Sequence, residues 1–298
     1  MKTRQIIGAL LLLLTAFIWG LAFVAQKTGL QYIGPCTFNA ARSFLGAFAL
    51  LPFIALIDRI KGRRPSVFGE CGGDGRKTLL VGGIWCGVIL GFASMLQQLG
   101  IERTSVGKAG FITTLYIIIV PIIGLLFHRR MGIIKWLCVF VTMFGMYLLC
   151  FKGGGRINFG DALVFFCSIV FSIHIMVIDH YSKLTDCVRM SCIQFFIAGV
   201  VSIPFALIFE KIVWNDILTA YIPVCYAGIL SSAVAYTLQI VGQRDVHPVI
   251  ASLIMSLESV FAALGGWLLL HERLSASEIC GCFIIFVAVI TAQLAEKE

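Results

Sequence analysis

The chain reads as a succession of apolar runs separated by short polar or charged connections. The runs fall at about residues 6–26, 36–57, 79–99, 106–127, 133–151, 160–178, 187–209, 217–240, 248–270 and 277–294. A helix needs roughly 20 such residues to cross a bilayer. The runs lack the period-2 alternation of a barrel strand, and lipid leaves only helices or closed barrels as spanning structures. The pattern predicts an all-α integral membrane protein with ten transmembrane helices. The first run follows a basic start, as in a signal peptide, but its apolar stretch exceeds an h-region of 7–15 residues. It is read as a retained first span. The longest connection, Asp58 to Thr78, is Gly- and Arg-rich and is predicted to be a mobile loop.

Composition agrees with this reading. Of 298 residues, 59% are hydrophobic and 13% charged, with a mean hydropathy of +0.98. A soluble domain carries about 25% charged residues. A soluble enzyme, a disordered chain and a secreted disulfide scaffold are excluded. The net charge of +8 does not point to nucleic acid, because most Lys and Arg lie between the apolar runs. Most of the 11 cysteines sit inside those runs, no CxxC occurs, and the single CxC (Cys280, Cys282) is in the last run. Buried cysteines of this kind act as small apolar residues. Neither a metal nor a cofactor is expected.

Basic residues set membrane orientation. With the N-terminus in the cytoplasm, the inner connections and flanks hold 15 Lys and Arg and the outer ones 7; Arg42, within a span, completes the 23. Both termini are therefore expected inside.

The chain also repeats itself. At a shift of 152, "LLPFIAL" (50–56) aligns with "SIPFALI" (202–208), Arg42 with Gln194, and "FIWG" (17–20) with "IVFS" (169–172). At a shift of 142, "AGFITTLY" (109–116) aligns with "ASLIMSLE" (251–258), and Gln97 with Gln239. Two five-helix halves result, residues 1–152 and 153–298. An odd number of spans per half inserts the two in opposite orientations. Inverted repeats of this kind build transporters whose site lies near mid-membrane between the halves.

The sequence resembles the EamA family of the drug/metabolite transporter superfamily over nearly its whole length. The resemblance is carried by Trp19-Gly20, by Arg42 and its counterpart Gln194, by "GKAGFITTLYIIIVPIIGLL" (107–126) and by "LESVFAALGGWLLLHERLS" (257–275), with Glu272 at a family glutamate. Two departures stand out. Ser259 replaces the usual Pro after Glu258, which removes a kink, and His271 replaces the usual Gly before Glu272. The resemblance implies ten helices around a central cavity and export or exchange of small organic metabolites, amino acids among them. It also implies a bacterial inner-membrane protein.

The residues suggest a cavity at bilayer depth. Glu258 falls about halfway along the ninth run, where a charge costs about 2.5–3.5 kcal/mol on insertion scales. It is a candidate to hold a substrate ammonium or to carry a coupling proton, against a packing role as a neutral acid. Thr15, Trp19, Phe23 and Gln26 share one face of the first helix, and Trp19 offers an apolar wall that accepts a cation. Gln97 and Gln239, at matching depths, and Tyr236 are further candidate substrate contacts. Thr113 is a cavity candidate whose hydroxyl also suits back-bonding to its own helix. Tyr116, the repeat partner of Glu258, is a candidate gate or binding partner for it. His174 is a second candidate proton carrier, against a satisfied packing histidine. Arg42 is assigned a structural or topological role, against pairing with a substrate carboxylate. Gly83, Gly87 and Gly91 are read as a close-packing stripe, and Pro121 as a kink in the fourth helix.

The expected function is that of a secondary transporter exporting an amino acid or related amine-bearing metabolite by alternating access. An importer or exchanger of a vitamin or nucleoside is the alternative. An intramembrane enzyme is disfavoured because no G-x-S-x-G occurs and no second carboxylate matches Glu258; no catalytic residue is assigned. A sensor or scaffold without a wet cavity is the other remote reading. The expected partners are the small-molecule substrate and the lipid bilayer, with the chain a monomer or homodimer.

Overall fold

The computed structural model describes residues 2–69, 73–104, 106–126, 132–150, 158–269 and 275–295. The His271–Glu272 turn of the family pattern lies outside them. The described residues form helices throughout: α1 (Lys2–Gly29), α2 (Pro35–Ile60), α3 (Gly73–Arg103), α4 (Val106–Thr113), α5 (Tyr116–Leu126), α6 (Ile133–Cys150), α7 (Phe159–Tyr181), α8 (Cys187–Phe209), α9 (Trp214–Thr219), α10 (Tyr221–Cys225), a π-helix (Tyr226–Tyr236), α11 (Thr237–Gln243), α12 (Pro248–Met255), α13 (Glu258–Leu269) and α14 (Ala276–Ala295). Eight helical rods are long and apolar enough to cross a membrane, and the apolar helices Ile133–Leu148 and Ala276–Ala292 are shorter. The protein is a multi-pass membrane protein. Its outward faces carry exposed Phe48, Phe53, Phe144, Phe166 and Phe283, as expected where lipid replaces water.

Local chemistry sets the helix ends. Asn158 and Asp161 form a reciprocal capping box on α7. Asp186 caps α8 by accepting the Arg189 N–H at 3.0 Å. Pro248 follows the His247 cap of α12, where its missing N–H costs nothing. Gly62, in the left-handed region at φ +68°, turns the chain out of α2. The connection after α2 is shorter than its composition suggested, and the described part is tied down. Ser66 donates its N–H to Asp58 (3.0 Å) and its carbonyl accepts from Arg189 Nε (3.2 Å). Arg76 lies over the Phe68 ring at 4.5 Å. The mobile-loop expectation fails for residues 61–69 because a buried carboxylate and a buried guanidinium hold them.

Helix α3 packs on α7 and α8, α2 on α8, α6 on α14, and α1 on α13 and the π-helix. The glycine stripe of α3 lies against α8: a Cβ on Gly83 would meet Ile193 at 2.6 Å, and one on Gly87 the Gln194 carbonyl at 2.6 Å. The rod formed by α12 and α13 is the most enclosed, with 78% of its apolar window buried against 39% for α2. The central cavity opens beside it.

Two rods are interrupted where the apolar pattern predicts continuous helices. The fourth breaks at Thr114–Leu115 and the ninth at Ser256–Leu257. At both breaks the turn tightens to i→i+3 bonds, from Leu115 to Ile112 and from Leu257 to Ile254. The interruption in the fourth rod comes before Pro121, which sits inside α5. The ninth rod breaks although it lacks the family's proline. Ser256 Oγ there donates to its own helix at the Leu253 carbonyl (2.7 Å). The π-helix was also unforeseen, since its wider turn leaves no mark on apolar spacing.

Candidate functional site

Fifteen side chains wall one cavity between the rods: Trp19, Ala22, Phe23 and Gln26 of α1, Arg42 of α2, Gln97 of α3, Thr113 and Tyr116 at the first break, Phe171 and Ile175 of α7, Ser231 and Tyr236 of the π-helix, Gln239 of α11, and Met255 and Glu258 at the second break. It has about 40 Å³ of room for water centres, enough for roughly three waters.

The two breaks place the acid. Tyr116 and Glu258 each begin the half-helix that follows a break, and the Tyr116 hydroxyl donates to Glu258 Oε1 at 3.2 Å. Glu258 is 4% exposed. As the first residue of α13 it also stands at the N-terminal, positive end of that helix's dipole. Gly20 lets α1 come close here, since a Cβ on it would lie 2.7 Å from the Glu258 carbonyl.

The π-helix places the aromatic wall. Its carbonyls accept bonds from α1: Trp19 Nε1 donates to Ser231 at 3.4 Å, and Thr15 Oγ1 to Ala235 at 3.1 Å. Tyr226 returns a bond to the Ile18 carbonyl at 3.0 Å. Trp19 then rests on Tyr236, with centroids 4.6 Å apart, and Phe195 meets Tyr236 edge-on at 5.2 Å.

Arg42, expected in a structural or topological role, lines the cavity wall and is only 4% exposed, so it does not snorkel to an interface. Arg42 Nε donates to Asn39 Oδ1 (3.0 Å), and Asn39 Nδ2 donates to Ser202 Oγ (2.9 Å), which orients the guanidinium. Among the described residues no carboxylate lies within ion-pair distance of Arg42. The amide wall is also under-satisfied. Gln97 Nε2 donates to Thr113 Oγ1 at 3.3 Å, whereas Gln26 Oε1 and Gln239 Oε1 have no partner among the described residues.

Nine of the residues singled out for the cavity from sequence line it: Trp19, Phe23, Gln26, Gln97, Thr113, Tyr116, Tyr236, Gln239 and Glu258. Thr15, on the same face of α1, bonds to backbone and lies off the cavity. His174 is fully buried and also off it, donating from Nε2 to Gln194 Oε1 at 3.2 Å. Phe171, Ile175 and Met255 escaped the sequence reading because they are ordinary apolar residues. The repeat marks them all the same, as the counterparts of Trp19, Phe23 and Thr113.

Comparison with known proteins agrees with the fold. A protein of known crystal structure, 15% identical, superposes over 99% of this chain and 98% of its own with a TM-score of 0.75, a likeness of fold alone. An uncharacterized transporter of Archaeoglobus fulgidus is 30% identical over 299 residues, covering 98% of this chain and 87% of its own length. The uncharacterized transporter YoaV of Bacillus subtilis (strain 168) is 25% identical over 284 residues, covering 90% of each chain. The profile of the EamA-like transporter family matches residues 6–151 and again residues 158–292. The chain therefore belongs to the EamA-like transporter family.

Proposed function

We propose that the protein is a secondary transporter that exports a zwitterionic amino acid or a close relative by alternating access. The observation that carries this reading is that Arg42 and Glu258 line one buried cavity, the guanidinium having no carboxylate partner among the described residues. A buried unpaired cation is costly. A substrate carboxylate at Arg42 and an ammonium at Glu258 satisfy both groups, with Trp19, Phe23 and Phe171 left for the side chain. Glu258, hydrogen-bonded from Tyr116, is also the proposed carrier of a coupling proton. Export is chosen over import on the family resemblance.

The proposed architecture is ten spans in two inverted halves, 1–152 and 153–298, in the cytoplasmic membrane with both termini inside. Two observations support it. Ten of the fifteen lining residues form five pairs at the two repeat shifts: Trp19 and Phe171, Phe23 and Ile175, Gln97 and Gln239, Thr113 and Met255, Tyr116 and Glu258. The helix breaks at 114–115 and 256–257 match at the same shift of 142. In this architecture the cavity lies on the pseudo-two-fold axis.

A thermal-shift screen on purified protein tests the substrate class, since a ligand that binds the native state raises apparent stability. Leucine, phenylalanine and tryptophan should raise the melting temperature, and their N-acetyl and amide forms should not. Equal shifts from the blocked forms remove the zwitterion reading. A shift from nucleosides or vitamins alone replaces it with the alternative substrate class, for which Gln26, Gln97 and Gln239 supply amide edges. For topology, Arg64→Cys should react with an impermeant thiol reagent only from the cytoplasmic side. Gly62 is unsuitable for that label because of its positive φ.

A further inference from the structure

The cavity is lopsided about the proposed pseudo-two-fold axis. Besides the five pairs it takes in Ser231 and Tyr236 of the π-helix and Ala22, Gln26 and Arg42, and the last three lie toward the turn that joins α1 to α2. Their counterparts 152 positions on are His174, Ile178 and Gln194, toward the turn that joins α7 to α8. These three do not line the cavity. They are packed out of reach, His174, Ile178 and Gln194 each being 0% exposed.

The packed side is nonetheless polar and unsatisfied. His174 Nε2 bonds to Gln194 Oε1 at 3.2 Å, while His174 Nδ1 and Gln194 Nε2 have no partner among the described residues. Leaving a buried polar group unpaired costs about 1–3 kcal/mol, and a group kept in that position calls for an explanation. Alternating access supplies one. In inverted-repeat transporters the two halves exchange conformations around a fixed site. A cavity that leans toward the α1–α2 turn in one state then leans toward the α7–α8 turn in the other.

We infer that His174 and Gln194 form the second face of the substrate site. They meet the substrate carboxylate when the cavity opens toward the α7–α8 turn, as Arg42 does when it opens toward the α1–α2 turn. An imidazole nitrogen and an amide NH2 replace the guanidinium. The orphaned atoms of the present state become the hydrated, ligand-facing atoms of the other. This rests on the inverted-repeat reading proposed above and adds to it the residues of the opposite face.

The test is side-resolved labelling of Arg42→Cys and Gln194→Cys in right-side-out and inside-out membrane vesicles. The probe is a membrane-impermeant methanethiosulfonate, applied on ice and at a temperature that permits transport. Fragment mass spectrometry locates the modified residue, which separates position 194 from the native Cys192. Arg42→Cys should react from one face. Gln194→Cys should react from the other face, at least tenfold faster warm than on ice. Should Gln194→Cys fail to insert, Ser94→Cys serves in its place, because Ser94 is the counterpart of cavity-lining Tyr236 and is itself 2% exposed. Silence at the second position from both faces, or reaction from the same face as Arg42→Cys, overturns the inference while the Arg42 cavity stands. Silence at Arg42→Cys from both faces instead removes the cavity reading beneath it, and the inference falls with it.

Discussion

Arg189, in the first turn of α8, holds the carboxylate of Asp58, at the end of α2, across 131 positions of sequence. The same guanidinium reaches Asp186 Oδ2 at 2.7 Å and the Ser66 carbonyl at 3.2 Å. At the far end of the same two antiparallel helices, Glu210 accepts from the backbone N–H of Cys36 (2.6 Å) and Thr37 (2.8 Å) and from Thr37 Oγ1 (2.6 Å). Glu210 follows Asp58 by 152 positions, and Arg189 follows Thr37 by the same 152. Each helix thus ends in an acid that grips the start of the other.

The Asp58–Arg189 grip is buried, with side chains 2% and 6% exposed. Removing one partner strands a charge. Arg189→Ala should lower the unfolding midpoint, read by reversible denaturation in mixed micelles. Adding Asp58→Asn to it should cost little more, because the charge left unpaired is then gone. A fully additive double mutant would show that the two do not act as a pair.

The opposite grip needs a glycine. A Cβ on Gly34 would lie 2.4 Å from the Glu210 carboxyl, which stands in for the missing side-chain cap of α2. Glu210→Ala should lose about 1–2 kcal/mol, as cap removals do. Gly34→Ala should lose as much by pushing the carboxylate off. Unchanged melting of both variants would show that the cap is idle.

The contact of α3 with α8 depends on absent side chains. Gly87→Val should cost about 1–3 kcal/mol through overpacking, because its Cβ would press on the Gln194 carbonyl. Gly110→Ala is the control, since a Cβ there meets nothing within 4 Å, and it should melt at or slightly above the parent temperature.

Glu258→Gln separates charge from shape. The amide oxygen still accepts from Tyr116, so the variant should insert and melt like the parent. Flux in reconstituted vesicles should fall at least tenfold, because the proposed ammonium partner and proton carrier are both lost. Parental flux removes Glu258 from the mechanism.

Trp19 is a wall more than a brace. Trp19→Ala loses one long hydrogen bond to Ser231 and the contact with Tyr236. Amino-acid binding should weaken about tenfold, or ~1.4 kcal/mol, with a smaller loss of fold stability measured the same way. A larger loss of stability than of binding would make Trp19 a packing residue.

The apolar runs alone established a helical membrane protein, because a chain this poor in charge can be solvated only by lipid and lipid forbids unpaired backbone. Self-similarity carried the reading into the site. Trp19, Gln97, Gln239, Tyr116 and Glu258 stood out as polar or aromatic residues at matching depths in apolar rods, where their cost demands a reason. Arg42 was legible as an anomaly, but its direction was not, because a long side chain reaches either an interface or a cavity and only the Asn39–Ser202 support decides which. The helix breaks beside Thr114 and Ser256 and the π-helix of Tyr226–Tyr236 left no mark in periodicity, since each shifts hydrogen-bond register without changing which residues are apolar. The Asp58–Arg189 and Glu210–Thr37 grips were likewise invisible, being contacts between segments more than a hundred residues apart. Sequence decides what must be buried in lipid; which buried groups meet depends on how the rods pack, and only the folded chain contains that.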